Sequence, residues 1–409
     1  MLHSKFIGLN NKLPATRLQT EAGLFLRHAF NVDVADSQLL RRRDGYSQVS
    51  AVTNSHSMFS NGVRTLLVRD SLLVEITSFS PPTFVTLTGL ASTATMSYWD
   101  VGGGVYFSNG TDSGFLPAGS QTPLPWGIET PSAPILSETS GNLSPGRYLV
   151  ALTYGNAVGR ESGSSSQVAI ELVLPASGVH VLLPAGAVGA TVVNVYLSAT
   201  GGELATWNQQ VATGTLSAVC SDLSTGRTLQ NRFLSPMPAG IAVSEYHGRL
   251  LVVNGSVLAY SAPRNYGMHD PSRDFVQFHG NISNVVPTTG GVFVVADQTY
   301  WLAGPDIAEA EMRVVLPHAG TPGTAIRFPD NMTVGWYSDA GWVIGAPTGE
   351  VKPVQEETLM TDIATAGTAL VRDRLGDTRV IVSLYGTVTP PVGVDPQIAA
   401  EEANRLFGV

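Results

Sequence analysis

Cysteine is almost missing from this sequence. Cys220 stands alone among 409 residues, so no disulfide can close within the chain, and packing and backbone pairing must hold the fold. That excludes a stapled secreted scaffold and fits synthesis in the cytoplasm. Lysine is nearly as scarce: Lys5, Lys12 and Lys352 face twenty arginines. Charged residues make up only 13% of the chain against 43% hydrophobic, a globular balance that predicts much surface covered by partners. Long apolar runs are lacking too. The first twenty residues have no apolar core, so no signal peptide is expected. The most apolar region, residues 168–199, is broken by Glu171, Pro175, His180 and Pro184, so no membrane span is expected.

Chemistry is equally thin. The chain has no His-Glu-x-x-His, no Walker loop, no Gly-x-Ser-x-Gly and no cysteine cluster, and no enzymatic activity, cofactor or metal is expected. The eight histidines show no paired ligand spacing. Gly102-Gly103-Gly104 lacks the strand-to-helix context of a phosphate cradle and reads as a turn or bulge. The richest polar cluster is His269-Asp270 beside Arg273-Asp274, expected to hold loop backbone rather than to react. Acids from distant loops could still converge as a glycosidase pair, but no particular pair stands out.

What is present is a recurring phrase. An apolar strand enters a tight Asn-Gly or Asp-x turn, and a second strand returns, usually with an aromatic. It occurs at 98–111 (YWDVGGGVYFSNGT), 245–260 (EYHGRLLVVNGSVLAY), 291–302 (GVFVVADQTYWL) and 333–344 (TVGWYSDAGWVI). Asn-Gly and Asp-x-Gly steps supply the positive φ that hairpin turns need. Residues 65–77 read as a further hairpin turning at Asp70-Ser71, and 84–88 as a strand. Hairpins repeated at this scale predict an all-β chain built as a β-propeller, whose blades bury their faces by stacking in a ring.

The phrase is interrupted. Five prolines (Pro117, Pro123, Pro125, Pro131 and Pro134) mark a linker. Beyond them Thr, Ser, Val and Ala dominate. Strands at 147–154, 167–174, 178–183 and 192–198 predict an inserted β-sandwich of fibronectin or immunoglobulin type, without the Cys–Trp–Cys core of a true immunoglobulin domain. Pro236 and Pro238 mark its exit. The expected organisation is an arm and entry strand (1–50), an N-terminal propeller segment (51–126), the sandwich (127–236), a C-terminal propeller segment (237–390) and a terminal helix (391–409). Asp395 would cap that helix, with Pro396 at its first position and Gly408 beyond its end. In the arm, alternation over 29–34 predicts a strand.

Charge is uneven. Residues 1–43 carry seven basic and three acidic side chains, whereas the whole chain has a net charge of −9. An acidic body does not bind nucleic acid tightly through its phosphates, though it can form a wall along which a polyanion slides. Arg41, Arg42 and Arg43 are the candidate interface or DNA-facing residues. They either meet phosphates or an acidic subunit face, or they form a solvated strand edge. The arginine bias suits fixed, bidentate contacts.

Taken in order, these elements resemble the tail nozzle family of short-tailed bacteriophages, also called packaged-DNA stabilisation or tail tubular B proteins. The resemblance is carried by 26–34 (LRHAFNVDV) leading to 40–46 (LRRRDGY), then 245–254 (EYHGRLLVVN), Ser261-Ala262-Pro263, Phe275-Val276-Gln277-Phe278 and 294–302 (VVADQTYWL). It implies a virion tail protein, assembled in the host cytoplasm, that forms a ring of usually six copies beneath the portal and adaptor rings of the head–tail connection. Its channel retains and then conducts genomic DNA, without enzymatic activity. The rival reading is a carbohydrate-binding or carbohydrate-cleaving propeller at the host surface. A second rival is a partner-binding cytoplasmic scaffold.

Overall fold

The computed structural model of the chain describes residues 5–29, 32–34, 38–43, 48, 54–223, 225–330, 332–359, 364–374 and 377–386. The expected terminal helix (391–409) lies outside them. Among the described residues the structure is nearly all β, with 52% strand and 2% helix; the helical pieces seen there are single 3-10 turns, Ala15–Arg17 and Ile307–Glu309. Two compact units form, one from both ends of the chain (Met1–Ala51 with His279–Val409) and one from its middle (Val52–Phe278).

In the middle unit, Ser55–Ser60, Thr65–Arg69, Leu72–Phe79 and Pro82–Gly89 make a four-stranded antiparallel meander. Ser97–Val101, Gly104–Ser108 and Ser113–Leu116 make a three-stranded one. A second four-stranded meander follows about 130 residues later: Ala242–Tyr246, Arg249–Asn254, Val257–Tyr260 and Phe275–Gln277. The turn residues explain the reversals. Asp70 (φ 48°) and Ser71 (φ 62°) both sit in the left-handed region between Arg69 and Leu72, as a type I′ hairpin requires. At 254–257 the two loop residues are Gly255 and Ser256, with only Gly255 at positive φ (61°). The turn therefore uses the glycine in its first place, rather than the Asn-Gly pair that the sequence displays.

These three sheets pack on one another in series. Val68 and Leu73 of the first share a core with Met96 and Phe107 beside and within the second. Tyr106 and Phe115 of the second share one with Val243, Leu250, Val252 and Ala259 of the third, closed by Trp126 and Met237. The Trp126 indole donates to the Met237 carbonyl at 3.0 Å. Hydrogen bonds to the Ser97 and Ser108 hydroxyls from the backbone of Val243 and Gly240, each at 3.0 Å, pin the same junction. A Cβ on Gly114 would stand 2.5 Å from the Phe107 ring, so the missing side chain lets that aromatic lie flat across its neighbouring strand.

Between the second and third sheets the chain builds two further ones. Ile135–Leu143, Ser177–Leu182 and Ser217–Cys220 form a three-stranded sheet; Val168–Leu172, Gly146–Gly155, Val192–Ser198 and Ala205–Ala212 form a four-stranded sheet in that order. Both contribute to one core, with Val179, Val181 and Cys220 from the first and Tyr148, Val150, Leu152, Val193 and Val195 from the second. The two-residue period of a strand places Tyr148, Val150 and Leu152 on one face, as it does Val193 and Val195.

In the other unit, Asn284–Pro287, Gly291–Val295, Thr299–Ala303 and Glu311–Leu316 form one four-stranded meander. Ile326–Arg327, Val334–Ser338, Gly341–Gly345 and Val351–Pro353 form another. The Phe293 ring of the first packs at a tilt against Trp301 of the same sheet and Trp336 of the second in a shared core. A long hairpin, Ala366–Arg374 with Asp377–Tyr385, and two small arm sheets complete this unit.

Candidate interface

The three candidate arginines lie on or beside the arm strand Leu40–Arg42, which pairs antiparallel with Val32–Val34 so that Asp33 faces Arg41 in register. Leu40, Arg41 and Arg42 are all exposed. Arg43 is not free: its Nε donates to Asp33 Oδ1 at 2.7 Å. Asp33 Oδ2 accepts from Arg379 Nη1 at 3.3 Å, and Arg379 stands opposite Arg372 on the long hairpin. One carboxylate is thus shared by two guanidiniums, and the local charge stays positive. Ion pairs this exposed contribute about 0–1 kcal/mol. Their effect is to orient the guanidiniums, which present planar, multi-donor faces suited to carboxylate or phosphate groups. Residues 44–47, which complete the Arg-Asp-Gly-Tyr turn, lie outside the described residues.

The polar cluster at 269–274 closes on itself. Asp270 accepts from the Ser272 hydroxyl (2.6 Å) and backbone N–H (3.0 Å), and Asp274 accepts from the Asp270 backbone N–H at 2.8 Å. Arg273 reaches Asp270 at 3.3 Å and Asp274 at 3.6 Å. The Ser272 hydroxyl, with its N–H and Arg273, holds the Asp270 carboxyl below the ordinary carboxylate value. Burial pushes His269 below its ordinary value against the pull of both acids, so the imidazole is neutral at pH 7. Its Nδ1 is buried without a hydrogen-bond partner among the described residues. The cluster therefore locks a turn. Among the described residues no three His, Cys, Asp or Glu side chains converge as metal ligands, and no helix is long and apolar enough to cross a membrane.

One contact had no signal in the sequence. Arg160, in the turn after Gly146–Gly155, places its guanidinium 4.3 Å from the Phe115 ring, 5.3 Å from Tyr106 and 5.9 Å from Tyr266. The next residue, Glu161, offers its backbone carbonyl to the Asn265 amide at 3.1 Å. The Glu161 carboxylate accepts from Thr153, from Asn194 (3.0 Å) and from Tyr196 (2.6 Å), and it pairs with Arg227 at 2.7 Å. This turn fastens the 135–220 sheets to the sheets on either side of them in the chain. The aromatic quadrupoles supply the attraction.

No family model and no curated protein matches the chain. Among solved structures, a chain from the "Crystal Structure of Mitotic Checkpoint Complex" is similar over 73% of this chain and 94% of that one, at 9% identity and a TM-score of 0.22. A likeness at that score carries no argument about fold or role.

Proposed function

We propose that the chain is a tail nozzle protein: a structural component of a bacteriophage tail whose copies, six in the usual ring of that family, enclose a channel that retains packaged DNA and conducts it on ejection. In this reading the meander sheets are blades of a propeller, and the sheets of 135–220 are a fibronectin-like sandwich inserted between two of them. The observation that carries the reading is the junction between residues 104–116 and 242–260, where successive antiparallel meanders pack face to face although the middle module separates them in sequence. Blades of a propeller stack in this way, and a module inserted at a blade boundary leaves such a junction intact. The ordered motifs from 26–34 to 294–302 supply the family.

The mechanism is physical. Rigid antiparallel sheets in a closed ring resist the outward pressure of confined DNA. An acidic, lysine-poor wall offers few phosphate contacts, so the duplex passes without adsorbing. The exposed arginines at 41–43 make the fixed contacts of the assembly, to an acidic face of the next copy or of the adaptor above. Antibody against the chain, applied to purified particles with gold label, tests the assignment. Label at the tail tip supports it; label on the capsid alone, or none on any particle, refutes it.

A further inference from the structure

We propose that the middle module carries a binding site for an acidic saccharide, in an open cleft of about 700 Å³. The inference does not rest on the ring. The cleft is lined by Arg147 on the strand Gly146–Gly155, by Ser166 and Gln167 just before the strand Val168–Leu172, by Glu203 in the turn after Val192–Ser198, and by Arg232 and Phe233. Its volume falls in the range of small-ligand sites.

The charged groups of the cleft are not spent on hydrogen bonds or ion pairs among the described residues. Neither the Arg147 nor the Arg232 guanidinium has a hydrogen-bond or ion-pair partner among the described residues, although elsewhere in this unit Arg64 and Arg227 are paired with carboxylates. Two unpaired guanidiniums facing one cleft call for an anion. The Glu203 carboxylate, also unpaired among the described residues, offsets one of them and leaves a single net positive charge. That balance suits one carboxylate per ligand and opposes a string of phosphates. Phe233 is 68% exposed, with the Arg232 guanidinium 5.6 Å from its ring centre. A large apolar ring left open at a polar cleft offers a negative face on which the C–H groups of a pyranose can lie. The Ser166 hydroxyl and Gln167 amide supply donors and acceptors for sugar hydroxyls, and the Glu203 carboxylate accepts from them.

Isothermal titration of the full chain with sialyllactose and with aldotriouronic acid, trisaccharides that each carry one carboxylate, tests the site, with galactotriose as neutral control and an oligothymidylate as phosphate control. At least one acidic trisaccharide is expected to bind saturably, and galactotriose about tenfold more weakly. R147A and R232A should each weaken binding by about tenfold, and E203Q should tighten it by about threefold. F233A should weaken the acidic and the neutral sugar alike. All four side chains line an open cleft, so circular dichroism of the variants should match the parent. Absence of saturable binding to both acidic probes, affinity unchanged in R147A and R232A, or preference for the oligothymidylate would each overturn the proposal.

Discussion

The Arg64–Glu75 pair is the sharpest test of how the first two sheets are joined. Arg64 donates from Nε to Glu75 Oε1 at 2.7 Å and from Nη2 to Oε2 at 2.8 Å. Its Nη1 reaches the carbonyl of Pro117, just past the second sheet, at 3.2 Å. The two side chains are only 6% and 12% exposed. Removing Arg64 alone, as in Arg64→Met, strands a buried carboxylate and frees the Pro117 carbonyl. Loss of one partner of such a pair costs about 3–5 kcal/mol. Replacing both, as in R64M/E75L, leaves apolar groups of similar volume, and the net change should fall within about 1 kcal/mol of the parent.

Hydrogen exchange at the amides of Thr65–Arg69 and Leu72–Phe79 reads this directly, because local opening of those strands reports their own stability. The pH dependence supplies a second axis. Arg64 holds the Glu75 carboxyl below its ordinary value. A depressed folded-state pKa means that the pair's stabilisation is fully present above the unfolded value, about 4.3. It is lost as pH falls through the lowered folded value. In R64M the buried carboxylate has no cation, its pKa rises, and protection should increase as pH falls. Parent-like exchange in R64M, or a double variant as weak as the single one, would refute the argument.

Other perturbations act on single named contacts. Ser71→Gly relieves a left-handed residue in the 70–71 turn and should stabilise that hairpin by about 0.5–1 kcal/mol, seen as slower exchange at Leu72–Phe79; faster exchange would refute it. Arg160→Ala removes a cation from three rings and should cost about 1–2 kcal/mol, measured as a lower urea midpoint, with Arg160→Lys recovering some of the loss. Gly114→Ala drives a Cβ into the Phe107 ring, 2.5 Å away, and should destabilise by about 1–3 kcal/mol by overpacking, read in the same titration. Burial pushes the Cys220 thiol up to about 11, so a thiol reagent at pH 8 should modify it only on unfolding; rapid labelling of the native chain would contradict the core assignment.

Local chemistry was readable in the sequence, and long-range pairing was not. Asp70-Ser71 and Gly102-Gly103 announced their turns because positive φ selects a few residue types; both pairs adopt it. The strands expected at 147–154 and 192–198 appear as Gly146–Gly155 and Val192–Ser198, since alternation fixes them locally. The strand expected at 29–34 is seen as Val32–Val34, with residues 30 and 31 outside the described residues. Arg41–Arg43 stood out as a run, but Arg379 joins their neighbour Asp33 from more than 300 residues away. Nothing local marks Arg160 as the partner of Tyr106, Phe115 and Tyr266, because a cation–π contact leaves no spacing in sequence. The cleft around Arg147 escaped for the same reason: its walls come from four separate segments.

Single-particle electron microscopy of purified particles that contain this chain tests the proposed ring most directly. The account predicts a closed ring of copies around the tail axis, with the antiparallel meanders stacked as blades and the 135–220 module attached at their edge. Density for the chain that lies only off the axis, or that shows no ring, would contradict it.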